Sequence, residues 1–294
     1  MVKLPDGSRL EAGQGGLERL VLATPSAEAH VYLHGAHVTH FQPAGERPLL
    51  WLSRESQFAA GKPIRGGVPI CFPWFGPRRD DAAAPVHGVA RLMQWSLVSV
   101  DAEPAGALCA ALELRSDEYT HRFFPHVFTL RLLVRAGALL QLALRVRNEG
   151  DTAFRFSEAL HSYFAVGDAR QARVRGLERA RYVDKTDGGA LKTLGDGPLA
   201  IAAETDRVFT GHAGPITIED PVWQRRIRVE RGGSATAVVW NPWIAKAKAM
   251  PDFGDDEWTG MLCVEAANAL DDEVTLPPGA SHELTTTLRV ERAG

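Results

Sequence analysis

A histidine in A-L-H-S-Y-F (His161) and a glutamate in C-V-E-A-A-N (Glu265) each close a short apolar run that reads as a buried strand. An ionisable side chain in such a place is costly unless it is paired or has a task. Brought together in one pocket, an imidazole and a carboxylate supply an acid and a base that both work near neutral pH. A structural reading stands beside this one. A lone strand histidine is most often a satisfied core residue, and buried His–Glu pairs also occur for structural reasons.

Two further segments place arginines among glycines and aromatics: K-P-I-R-G-G-V-P-I-C-F-P-W-F-G-P (62–77) and H-G-V-A-R (87–91). At Arg65-Gly66-Gly67 the glycines would let backbone approach an anion closely, and a guanidinium is a planar, permanently charged fork for phosphate. The alternative is a turn carrying a solvated arginine. Arg91 is equally ambiguous taken alone. Phe72 to Pro77, and Trp240-Asn241-Pro242-Trp243, suit either rigid core-covering loops or walls for a stacked ligand. His34, His37 and His40 invite a metal reading, yet in a strand only 34 and 40 share a face and no acidic or cysteine partner accompanies them. Surface or packing histidines are expected there, and no metal. Neither G-x-x-x-x-G-K-[ST] nor G-x-G-x-x-G occurs, so nucleotide binding has no support.

These residues must be held by strands. Phe128, Leu130, Leu132 and Val134 alternate with polar positions, and after Ala136-Gly137-Ala138 the pattern returns in Leu140, Leu142, Leu144 and Val146, which reads as a hairpin. Leu284 to Val290 alternates likewise, and Ile216/Ile218, Ile227/Val229 and Val238/Trp240 mark shorter strands. Helical periodicity is scarce: a short helix over 53–60 and one turn over 255–260 are expected. Eighteen prolines and 28 glycines punctuate many short strands. The expected fold is all-β, a large antiparallel sandwich forming one domain over residues 1–294 with few short helices.

The 294 residues are 45% hydrophobic and 23% charged, with a formal net charge of -3 and no basic field for nucleic acid or an acidic membrane. Cys71, Cys109 and Cys263 are too few and too scattered for a disulfide framework or a cysteine-rich metal site. No apolar run has the length of a membrane span, and residues 1–10 lack a signal-peptide core. A cytoplasmic monomer acting on a small molecule is expected.

Six segments in order resemble one family: R-G-G-V-P-I-C-F-P-W-F-G, H-G-V-A-R, L-H-S-Y-F, T-D-R-V-F, N-P-W, and M-P-D-F-G-D-D-E-W with C-V-E-A-A-N. They are similar to the glucose-6-phosphate 1-epimerases, the hexose-6-phosphate mutarotase branch of the aldose 1-epimerase family, over roughly residues 30 to 270. The resemblance implies a galactose-mutarotase-like sandwich with a sugar cleft, needing no metal and no organic cofactor. It implies Glu265 as general base, His161 as general acid, Arg65 and Arg91 as substrate arginines near the phosphate, and Asp206 as a ligand for a sugar hydroxyl. His87 falls in a family motif without a clear role. Many relatives carry a polar residue where this chain has Val86, so a substrate contact differs here.

The chemistry suits the residue types. Mutarotation moves one proton off the anomeric hydroxyl and another onto the ring oxygen, so one carboxylate and one imidazolium suffice. An ionised Glu265 is expected to raise the His161 pKa and keep the acid protonated. Two rivals remain at this stage: a non-catalytic carbohydrate-binding sandwich, and a glycoside hydrolase, which ordinarily needs two carboxylates.

Overall fold

Alternating apolar residues give strands, and nearly all regular structure in the computed structural model, which describes residues 2–78 and 80–292, is antiparallel sheet. The largest sheet has nine strands, ordered Leu199–Ala200, Arg173–Arg175, Ile216–Asp220, Arg225–Gly232, Ser281–Arg292, Leu140–Asn148, Phe128–Ala136, Leu108–Arg115 and Ser96–Ala102. The expected hairpin is at its heart: Phe128 pairs with Asn148 and Ala136 with Leu140. Its inward residues are buried while Arg131, Leu133 and Arg145 face solvent, the pattern of a sheet wetted on one side.

The eight-stranded sheet carries the site. Its order is Ala190–Thr193, Arg181–Asp184, Thr205–Phe209, Thr236–Asn241, Met261–Asn268, Glu158–Leu160 and Ile70–Cys71, with Tyr163–Ala165 also pairing Met261–Asn268. Met261–Asn268 is buried along its whole length. Leu262, Val264 and Ala266 join the main core, whereas Met261 and Cys263 belong to a second apolar cluster and Ala267 to a third. The strand is therefore covered on both faces, which is why it reads as a continuous apolar run. A four-stranded sheet, Ser8–Ala12, Glu18–Ala23, Ala27–Tyr32 and His37–Pro43, completes the main body.

Three sequence expectations change. Residues 53–60 form no helix, because Ser53 Oγ and the Arg54 N–H donate instead to the Glu257 carboxylate at 2.8 and 3.1 Å. His34 and His40 do not share a strand: Gly35 and Ala36 turn with φ of 72° and 45°, and the strand starts only at His37. Glu265 stands inside its strand, three residues before the end. The turn expected near 255–260 is a 3-10 turn, Glu257–Gly260, and a helix the alternation did not signal covers Trp243–Ala249.

Candidate active site

Strand alternation aims the chemistry. On Met261–Asn268 the even positions enter the core, so Glu265 emerges on the opposite face with Cys263. Glu158–Leu160 pairs alongside, and His161 follows directly, its backbone N–H donating to the Pro69 carbonyl at 3.1 Å. The result is contact between His161 Nε2 and Glu265 Oε1 at 3.4 Å, with both side chains buried. They form the floor of a cavity of about 390 Å³ that also takes in Arg65, His87, Arg91 and Asp206. All six residues singled out from the sequence thus line one space.

The electrostatics differ from expectation. Burial, then Arg91 and Arg65, holds the His161 pKa well below the usual imidazole range. Burial, then Asp206, pushes Glu265 well above the usual carboxylate range, opposed by Lys185. Each partner is thus driven toward its neutral form. In place of the expected rise, desolvation and two arginine charges lower the His161 pKa. Buried His161 Nδ1 and Glu265 Oε2 have no hydrogen-bond partner among the described residues.

The backbone after Arg65 is tightly packed. Gly67 has φ of 60°, and a Cβ there would lie 2.2 Å from the Val38 carbonyl oxygen. The glycines after Arg65 pack closely against neighbouring backbone, where a Cβ would clash. Arg65 donates through Nε and Nη2 to Asp252, at 3.2 and 3.0 Å, and through Nη1 to the Tyr163 hydroxyl at 3.1 Å. Burial disfavours its charge, but Tyr163 and Asp252 outweigh that and its pKa is raised.

Arg91 lies in a short 3-10 turn, 8% exposed, with Nη2 donating to the Val86 carbonyl at 2.7 Å and a buried Nε that has no partner among the described residues. His87 holds φ of 65°, and its Nδ1 accepts from the Gly76 N–H at 3.1 Å, which leaves the neutral ring's proton on Nε2. The His87 and His161 rings meet edge to face at 5.5 Å. Asp206, on Thr205–Phe209, has its pKa raised by burial. Val86 stands 47% exposed and lines the cavity.

The aromatic segments divide their labour. Phe72 is core, while Phe75 lines the cavity. Trp240 lines it too, and Asn241 is a structural amide, donating to the Trp258 and Met261 carbonyls at 2.9 Å each. Sequence reasoning missed Tyr163, Lys185 and Lys246. Tyr163 had a readable signal: two residues beyond His161, it shares that residue's face of an extended chain. His34 and His37 bond to the Lys62 and Gly66 carbonyls, and burial pushes His37 down to about 3. Both are packing residues, as the sequence suggested. One donor set that could hold a metal ion does occur among the described residues: atoms of His161, Cys263 and Glu265 lie within 4.8 Å of one another.

A large antiparallel sandwich of this kind has a galactose-mutarotase-like fold. The chain belongs to the aldose 1-epimerase family, whose model matches residues 18–289, and is an isomerase acting on carbohydrates. It is 36% identical over 276 residues to the Escherichia coli (strain K12) protein named "Putative glucose-6-phosphate 1-epimerase", covering 94% of this chain and 91% of that one. A Cenchrus ciliaris protein of the same name is 37% identical over 273 residues, 90% of this chain and 82% of its own. The crystal structure of a "putative mutarotase (YeaD)" from Salmonella typhimurium matches with a TM-score of 0.92 at 32% identity, over 99% and 96% of the two chains. No described helix is long and apolar enough to cross a membrane.

Proposed function

We propose that this chain, as a single-domain cytoplasmic monomer, interconverts the α and β anomers of a hexose 6-phosphate, glucose 6-phosphate foremost. The observation that carries this reading is the His161–Glu265 contact at 3.4 Å on the floor of a cavity lined by arginines and lysines. Glu265 takes the proton of the anomeric hydroxyl while His161 gives one to the ring oxygen, and the bond from C1 to the ring oxygen breaks. The aldehyde end rotates about C1–C2. Closure on the other face returns both protons by the reverse transfers.

Ring opening ends with Glu265 protonated and His161 neutral. Those are the forms that burial favours in this cavity, so the ionised pair that begins the step is the less favoured one. Asp206 and His87 address hydroxyls, and Arg65 and Arg91 lie at the phosphate end. No metal or organic cofactor enters any step.

Magnetisation-exchange NMR between the anomers of glucose 6-phosphate tests the reading directly. The wild-type protein accelerates exchange, and Glu265→Gln or His161→Ala each lowers the rate by about 10²–10⁴-fold. A Glu265→Gln protein that keeps most of its rate removes the base assignment. A wild-type protein that leaves exchange at its rate in water removes the function.

A further inference from the structure

Four cations among the described residues line the cavity, and they are not equivalent. The fork of Arg65 is spent on Asp252 in a paired contact of 3.0 Å, so that pair brings donors but little net charge. Lys246 Nζ is bonded to Glu204 Oε1 at 2.9 Å. Arg91 is deep, and burial lowers its pKa. Lys185 is the exposed one, in the turn that follows the strand Arg181–Asp184, and it makes no ion pair among the described residues.

The neighbouring acids explain why. Asp184 and Asp187, the carboxylates nearest Lys185 in sequence, are both taken by Lys192, at 2.9 and 2.7 Å. The Lys185 backbone N–H donates to the Asp206 carbonyl at 2.9 Å, which anchors the residue beside the cavity strand. Its Nζ sits over the Phe75 ring, 4.6 Å from the centroid, and 3.8 Å from the point a Cβ on Gly76 would occupy. The ammonium is thus held at the rim by an aromatic face, a weak contact that leaves its donors open.

A phosphate monoester carries a charge of about −1.5 to −2 at pH 7 and needs an uncompensated cation. Lys185 lines the same cavity as His161 and Glu265, on its exposed side. We propose that Lys185 is the phosphate-selecting residue of the cavity, supplying the net charge that the Arg65–Asp252 pair cannot. The proposal rests on a hexose 6-phosphate being the substrate.

Exchange rates measured by NMR on glucose 6-phosphate and on free glucose, for wild type, Lys185→Met, Lys185→Gln and Lys185→Arg, decide it. The two neutral variants lose about tenfold in kcat/KM on glucose 6-phosphate, mainly through KM, and clearly less on glucose. Lys185→Arg recovers most of the loss. Unchanged kinetics on glucose 6-phosphate, or equal losses on both sugars, overturn the proposal while leaving the epimerase reading intact. A wild-type protein inactive on glucose 6-phosphate overturns both.

Discussion

The Tyr163 ring lies almost parallel to the His161 imidazole, with centroids 4.7 Å apart and planes 10° from coplanar, and its hydroxyl accepts from Arg65 Nη1 at 3.1 Å. One aromatic ring therefore fixes both the orientation of the acid and the reach of an arginine. Tyr163→Phe keeps the stack and deletes the bond. The expected outcome is a folded protein destabilised by about 1–2 kcal/mol, with roughly tenfold lower kcat/KM on glucose 6-phosphate as the guanidinium, still paired with Asp252, loses the contact that fixes Nη1. Urea denaturation and NMR anomer exchange check the two halves separately, and wild-type kinetics in the variant would show that the hydroxyl positions nothing.

The Arg65–Asp252 pair calls for a double-mutant cycle. Its side chains retain 20% and 14% exposure, so solvent screens the pair and the cost of breaking it falls short of a fully buried one. Arg65→Ala leaves the Asp252 carboxylate alone and costs about 2 kcal/mol in chemical denaturation; adding Asp252→Ala recovers part of that. Activity behaves otherwise. Both the single and the double variant, and Arg91→Ala likewise, lose far more on glucose 6-phosphate than on glucose, because the donors near the phosphate are gone in each. Equal losses on the two sugars would remove the arginines from the phosphate end.

How far the chain was legible follows from periodicity. Phe128 to Val146 displayed its hairpin because a sheet wetted on one face prints a two-residue alternation, and the structure pairs those residues as read. Met261 to Asn268 hid its geometry, since a strand covered on both faces is apolar throughout and Glu265 looked like an end. His161 and Glu265 stood out as ionisable residues in apolar runs, Arg65 and Arg91 as arginines among glycines and aromatics, and Asp206 and His87 through the ordered motifs; all six converge on one cavity. Lys185 and Lys246 sit in no apolar pattern and no motif, so their place depends on how distant turns meet. The failed helix at 53–60 is of the same kind: its local sequence is permissive, and Glu257, more than two hundred positions away, captures the backbone and hydroxyl donors.

Chelation separates two uses of one cluster. His161, Cys263 and Glu265 form a donor set with soft and hard ligands, and a cation held there would occupy the acid and the base together. Acid/base ring opening by the two side chains predicts that prolonged treatment with EDTA leaves the anomer-exchange rate unchanged. Activity lost on chelation and restored by one added metal would instead make the cluster a working centre.

Glu158 offers a test of stability without the chemistry. It is fully buried in the strand Glu158–Leu160, neither carboxylate oxygen has a hydrogen-bond partner among the described residues, and it lies outside the cavity lining. His282 Nε2 is 3.4 Å from its Oε1 but also 3.1 Å from Asn268 Oδ1, and burial lowers the His282 pKa, so a compensating imidazolium is disfavoured. Burial alone pushes the Glu158 pKa well above its ordinary 4.5. The folded state therefore keeps a proton that the unfolded chain releases, and stability contributed by this group is full below pH 4.5 and drains away as pH rises toward the folded pKa. Glutamine has the shape of the protonated acid and does not titrate. Glu158→Gln should melt with the wild type near pH 4 and above it at pH 8, by about 2–4 °C for each kcal/mol recovered, with anomer exchange unaffected. Calorimetry across that range decides the matter: a gap that stays constant, or that narrows as pH rises, means the buried carboxyl is not held protonated.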